Sequence, residues 1–326
     1  MTIKPQLADW HLINCYLVLQ LQTSQIRMRN FRVQIAVVGI SLAIFLAAVL
    51  IVVRTGSGQS KSRSKPASGV KQVVKVTGEP AAPPVRNAVL SKELSWTFGS
   101  KTQHGWYLYK PLIDRLIDTK QNAASDDFAK ALARWQQKAG LLPNGVLDDE
   151  TLYAMIKTWQ DDRLKDRSPA APEQLLTAPI SDFYDPTRAE ELRQVERETY
   201  AAYKRMVSAA ISTKSLGLAH AGKGELAPQE QYLKIISAYR SKDYQEKLRR
   251  ESPNSGSAGL AVNSPHFTGR ALDIYVGGDP VDTRDSNRSI QVETRVYQWL
   301  VKNADRFGFR PYCFEPWHWE YVGKKQ

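Results

Sequence analysis

The spacing of apolar positions divides this chain into segments of different character. Val33–Val53 is an uncharged, almost wholly apolar run in which Gln34 and Ser41 are the polar side chains. Its 21 residues match the roughly 20 needed to cross a bilayer core as a helix. No small-x-small cleavage site closes the run, so an uncleaved single transmembrane helix is predicted, with residues 1–32 as a cytoplasmic tail. Residues 54–93 are poor in large apolar side chains and rich in Gly, Ser, Pro and Lys. Such a stretch buries too little surface to offset its ordering entropy and reads as a flexible linker.

From residue 94 a 3.6-residue period takes over. Trp106–Tyr109 looks strand-like, and Leu112, Leu116 and Ile117 fall at helical spacing. Phe128, Leu132 and Trp135 mark a helix that Gly140 stops; Pro143, Asn144 and Gly145 make a turn, and Asp148–Thr151 opens a further helix. Residues 94–160 are therefore read as a small helical module, and the polar, Pro-bearing residues 161–179 as a second linker.

Residues 180–326 mix both periods. A helix is expected from Pro186 to about Ala210, carrying Leu192, Val195, Ala202 and Met206 on one side. Leu233–Arg240 reads as a strand delivering Arg240, with a helix after it. Ala271–Val276 alternates, putting Asp273 on one face. Gln291–Arg306 reads as one amphipathic helix, and Trp317–Val322 as the last strand. The predicted fold class is α+β: a small antiparallel sheet flanked by helices, preceded by the helical module and the membrane anchor.

Charge changes this picture little. Of a net +12, residues 1–93 supply 12 Lys+Arg against 3 Asp+Glu, while residues 94–178 balance at 11 and 11. The excess sits in tail and linker rather than on a folded surface, which argues against nucleic-acid binding. Cys15 and Cys313 form no metal-binding spacing, and Cys313 is expected to be a buried strand residue. Asp279, Asp282 and Asp285 recur at intervals of three, wrong for a calcium loop, and read as a solvated lid.

The chemistry lies in two clusters. The first runs from Ser264 through His266 and Gly269 to Asp273; the second runs from Glu315 through Pro316 and Trp317 to His318. Two imidazoles and one carboxylate (His266, His318 and Asp273) make a three-ligand set for one Zn²⁺ that leaves a position open. Glu315 remains as the free carboxylate such a hydrolase needs for a general base. In a regular strand Glu315 and His318 would point to opposite faces, so the chain has to bend at Pro316. Glu320 reads as an ordinary strand carboxylate.

These residues, with Tyr239-Arg240-Ser241 ahead of them, resemble the zinc D-alanyl-D-alanine carboxypeptidases of the VanY type over about Ile180–Val322. The resemblance implies removal of the terminal D-alanine from peptidoglycan stem peptides. Arg240 is then expected to steady the developing oxyanion and, with Gln245 and Ser264, to contact substrate. The pattern Ala131-Leu132, Trp135-Gln136, Gly140-Leu141, Gly145, Leu147-Asp148 and Thr151-Leu152 resembles the peptidoglycan-binding helical module of wall hydrolases over residues 111–159. A substrate outside the cytoplasm implies a single-pass membrane protein with its catalytic domain on the periplasmic side. The same motif serves L,D-carboxypeptidases and endopeptidases of this zinc family. A non-catalytic, membrane-tethered wall-binding protein is the alternative of a different class.

Overall fold

The structure, a computed structural model, describes residues 81–99, 101–251 and 263–323. Its first helix, Pro83–Glu93 (α1), begins on two prolines, whose missing N–H groups cost nothing in a first turn. Asn87 of α1 is buried and clamps the later Asn-Gly turn: Nδ2 donates to the Gly145 carbonyl and Oδ1 accepts from the Leu147 amide, both at 2.8 Å. The stretch expected to be flexible up to residue 93 thus ends in a docked helix.

A hairpin follows, Ser95–Phe98 (β1) against Lys101–His104 (β2). Trp106–Tyr109, expected as a strand, is instead a 3₁₀ turn over Tyr107–Tyr109 that runs into the helix Lys110–Ile117 (α2), with Pro111 in its first turn. Proline presets the helical φ, and this local signal outweighs the alternation. Asp126–Lys138 (α3) is capped by Ser125 Oγ accepting from the Phe128 amide, and Asp149–Asp161 (α4) by Asp148 accepting from the Thr151 amide.

The stretch expected as a second linker is built into the fold. Leu164 is buried, and Leu175–Thr177 (β3) pairs antiparallel with Gln194–Glu196 (β4). The helix predicted from Pro186 therefore starts later, as Arg197–Ile211 (α5). Glu196, the last residue of β4, accepts from the Glu198 and Thr199 amides and sets that start. Two short strands, His220–Gly222 (β5) and Glu225–Leu226 (β6), form a hairpin against α5.

The sheet that organises the site has four strands in the order β7-β8-β10-β9, all antiparallel: Ile235–Ser237 (β7), Ala271–Ile274 (β8), Phe309–Tyr312 (β9) and Glu315–Tyr321 (β10). Lys242–Glu251 (α6) follows β7. Every residue of β10 is buried. The expected helix over 291–306 is two helices, Asp285–Glu293 (α7) and Arg295–Asn303 (α8), with a 3₁₀ turn over Ala304–Phe307. Thr294 divides them: its hydroxyl donates to the Val276 carbonyl at 2.8 Å and accepts from the Tyr297 amide at 3.1 Å. A side chain that serves both neighbours this way is a helix cap, not a helix interior. The segment expected as a solvated lid is likewise tied down. Asn287 Nδ2 donates to the carbonyls of Asp279 and Asp282, and Asp285 opens α7.

Thr77–Gln326 forms one unit, and a single apolar core joins Trp106, Phe128, Leu132 and Leu152 to Leu272, Trp317 and Trp319. Phe314 lies at that junction, stacked on Phe98 and edge-on to Tyr109. The expectation of a transmembrane helix is corrected here: among the described residues no helix is long and apolar enough to cross a membrane, and Val33–Val53 lies outside them.

Candidate metal centre

Strand pairing places Ser237, Asp273 and His318 in one row across three strands. Ser237 pairs with Asp273 on one side, and His318 pairs with Asp273 on the other. His266 enters from a 3₁₀ turn, Pro265–Thr268, that leads directly into β8. Gly269 makes that entry possible. Its φ is +67°, and a Cβ there would come within 2.9 Å of Leu175 Cδ2 and 3.0 Å of the Glu196 amide. The motif glycine is thus fixed by a left-handed turn packed tightly against β3 and β4.

Glu315 and His318 share the site because β10 is not regular between them. Glu315 pairs with Tyr312 and Trp319 with Pro311, so four steps along β10 oppose one step along β9. This bulge holds Pro316, Trp317 and His318 and turns the glutamate and the histidine to the same side, where Glu315 Oε2 stands 4.0 Å from His318 Nδ1.

The ring nitrogens are assigned by their outer partners. His266 Nδ1 is 2.7 Å from the Ala238 carbonyl, which can only accept, so this nitrogen carries the proton and Nε2 has the lone pair. His318 Nε2 is 3.3 Å from Glu320 Oε1, which leaves Nδ1 as the nitrogen that can be given to a metal. Those two nitrogens converge on Asp273 Oδ1, at 3.3 Å from His266 and 2.9 Å from His318. Ligands around 2.0–2.1 Å from a tetrahedral zinc would lie about 3.3–3.4 Å apart. The donor atoms of His266, Asp273 and His318 all lie within 4.8 Å of one another and are buried, so the set fits a single zinc ion.

Charge supports this arrangement. Burial would raise the Asp273 carboxyl, but His266, His318 and Arg240 hold it well below the usual carboxylate range. Burial, with Arg240 nearby, lowers His266 to about 4, so its imidazole is neutral. For His318 burial works downward, yet hydrogen bonds to Asp273 and Glu320 prevail and raise it to about 9, so the ring holds both protons at neutral pH and a metal taken up at Nδ1 has to displace one of them. Burial raises Glu315 to about 7, against the pull of His318, which is where a general base for neutral pH is useful.

Arg240 leaves β7 and donates through Nη2 to Asp273 Oδ2 at 2.6 Å, through Nε to Ser237 Oγ at 2.8 Å and through Nη1 to Gln245 Oε1 at 3.4 Å. It therefore braces the carboxylate ligand from behind. Gln245 is buried on α6, and Ser264 is buried at the cap of the His266 turn, where its Oγ accepts from the His266 amide at 3.3 Å. All eight residues singled out in the sequence except Glu320 were assigned to the site; Glu320 joins them. It is fully buried, and its carboxylate orients His318. The signal for it was available, because residues two apart in a strand share a face.

Residues 193–324 match the family model described as VanY, D-alanyl-D-alanine carboxypeptidase. The putative carboxypeptidase YodJ of Bacillus subtilis (strain 168) is 30% identical over 120 residues, covering 31% of this chain and 42% of that protein. The chain thus spans less than half the length of this curated relative. Among solved structures, the LdcB LD-carboxypeptidase is 26% identical, over 48% of this chain and 71% of that one, with a TM-score of 0.34. VanYB in complex with D-alanine-D-alanine is 25% identical, over 40% and 72%, with a TM-score of 0.26. A mutant of the vancomycin-resistance D,D-pentapeptidase VanY in complex with Zn(II) is 22% identical, over 51% and 89%, with a TM-score of 0.29.

Proposed function

We propose that this chain, whose residues 193–324 match the VanY D-alanyl-D-alanine carboxypeptidase family model, is a zinc-dependent D,D-carboxypeptidase that removes the terminal D-alanine from peptidoglycan stem peptides. The observation that carries the proposal is the convergence of two imidazole nitrogens on one buried carboxylate, with a separate carboxylate, Glu315, beside them. A structural zinc site is closed by four protein ligands, whereas three ligands and a neighbouring base make a hydrolytic one.

His266, Asp273 and His318 would hold the ion, which supplies a Lewis acid for the scissile carbonyl and acidifies water at neutral pH. Glu315 takes the proton of the attacking water and delivers it to the nitrogen of the departing D-alanine. The bulge at Pro316 makes this possible by turning the Glu315 carboxylate towards the metal ligands. Arg240 holds Asp273 ionised and fixed, and its remaining N–H groups are the donors we assign to the substrate's developing oxyanion. Gln245, against Arg240, and Ser264, beside His266, are assigned to the substrate's terminal carboxylate. The substrate places the reaction outside the cytoplasm. On the pattern of Ala131 to Leu152, residues 111–159 are assigned to wall binding, which a pull-down of the full chain on insoluble peptidoglycan would test.

The test is mass analysis of stem peptides incubated with the zinc-loaded full chain. Loss of one D-alanine from the pentapeptide supports the proposal. Loss from the tetrapeptide instead would make the chain an L,D-carboxypeptidase, internal cleavage an endopeptidase, and no cleavage of any stem a wall-binding protein.

A further inference from the structure

Arg163 stands just past the end of α4, outside the segment that matches the carboxypeptidase family. Its side chain is 10% exposed, and the carboxylate it faces, Glu320, is not exposed at all. Its Nε donates to Glu320 Oε1 at 3.1 Å, its Nη2 bonds the same oxygen, and the next residue's amide, Leu164 N, donates to Glu320 Oε2 at 2.9 Å. The guanidinium itself is fixed: Nη1 donates to Gln160 Oε1 at 2.8 Å, and its Cζ lies over the Tyr312 ring, 3.9 Å from the ring centre. Both oxygens of Glu320 are therefore held from the N-terminal helical segment, and Oε1 is the oxygen that faces His318 Nε2.

We propose that Arg163 is a positioning residue for the metal site, acting through Glu320 to orient His318. The inference rests on the zinc reading above. An arginine with two N–H groups on one carboxylate gives charge-assisted bonds of defined direction. Locked in this way, Glu320 accepts a hydrogen bond from His318 Nε2–H, keeps the proton on that nitrogen and aims Nδ1 at the metal position. Without Arg163 the glutamate becomes a buried charge with one amide and one imidazole for company, and its position is no longer determined. The helical segment is then part of the catalytic unit rather than a detachable accessory.

The experiment compares the full chain with Arg163→Ala, Arg163→Gln, Glu320→Gln and the Arg163→Ala/Glu320→Gln double variant. Zinc affinity is read by chelator competition, and ligand geometry by the visible spectrum of the Co²⁺-substituted proteins. Arg163→Gln keeps much of the stem on Tyr312, so the measurement survives if Arg163→Ala does not fold. Each Arg163 variant is expected to bind zinc about 10–100-fold more weakly and to shift the cobalt spectrum. The double variant should be little weaker than the weaker single one, since both changes break one chain of contacts. A folded Arg163 variant with unchanged zinc affinity and cobalt spectrum, or fully additive losses, would overturn the proposal. An unaltered chain that takes up no zinc would overturn the zinc reading beneath it instead.

Discussion

Glu320 Oε1 lies 3.3 Å from His318 Nε2, on the ring edge opposite the one that faces Asp273. The imidazole is therefore held between two carboxylates, one beside the metal position and one behind it. Hydrogen bonds to His318 and Arg163 outweigh burial and bring Glu320 down to about 2, so it is ionised at any working pH.

Glu320→Gln should consequently not be silent, although Glu320 lies beyond the metal ligands. The amide still offers an oxygen to His318, but it removes the charge and puts an NH₂ group where Arg163 or the Leu164 amide also donates. Turnover or zinc affinity should fall about 10–100-fold, the scale for partners that orient metal ligands. Steady-state kinetics and a zinc titration of the same preparation check this; wild-type values in both would contradict it.

Phe314 sits between the N-terminal hairpin and the strand of the site, against Phe98, Trp96, Tyr109 and Tyr312. If residues from Thr77 onward unfold as one unit, Phe314→Ala should shift a single unfolding transition, at a cost of about 3–5 kcal/mol. Urea unfolding followed by both fluorescence and circular dichroism measures this. Two separable transitions, with only one of them moved, would show that the helical segment and the sheet fold independently.

Burial pushes the Cys313 thiol up to about 12. An ordinary thiol near pKa 8.5 is partly thiolate at pH 8, whereas a raised pKa keeps Cys313 protonated there, and the residue is enclosed as well. Site-resolved mass spectrometry after alkylation at pH 8 should find Cys313 unmodified in the native chain and modified once the chain is denatured. Modification of the native protein at the rate of a free thiol would contradict this.

That His266, Asp273, His318 and Glu315 come together was legible because their types and spacing suggest one chemistry. The need for a bend at Pro316 followed from the two-residue period of strands, and the structure meets it with a bulge between Glu315 and Trp319. The same period, applied two residues further on, would have put Glu320 on the face of His318, but its charge made a solvated position look natural. Arg163 could not have been found in this way, since nothing in a sequence couples residues 157 apart. Boundaries failed where one side chain overrides a periodic pattern: Thr294 splits a helix by capping, and Glu196 starts another eleven residues after Pro186. The polar stretch around Arg163 read as a linker because its partner, a buried carboxylate, lies on a distant strand.

The account as a whole depends on Glu315 acting apart from the ligands. Glu315→Gln keeps the side-chain volume and leaves His266, Asp273 and His318 in place, while His318→Ala removes a ligand and should lose zinc together with activity. Release of D-alanine from a stem pentapeptide by Glu315→Gln, measured with the zinc content of the same sample, is the most direct test. Zinc should stay near one per chain while turnover falls by about 10²–10⁴-fold, the usual contribution of general acid–base catalysis. A zinc-loaded Glu315→Gln protein that releases D-alanine at the unaltered rate would contradict it.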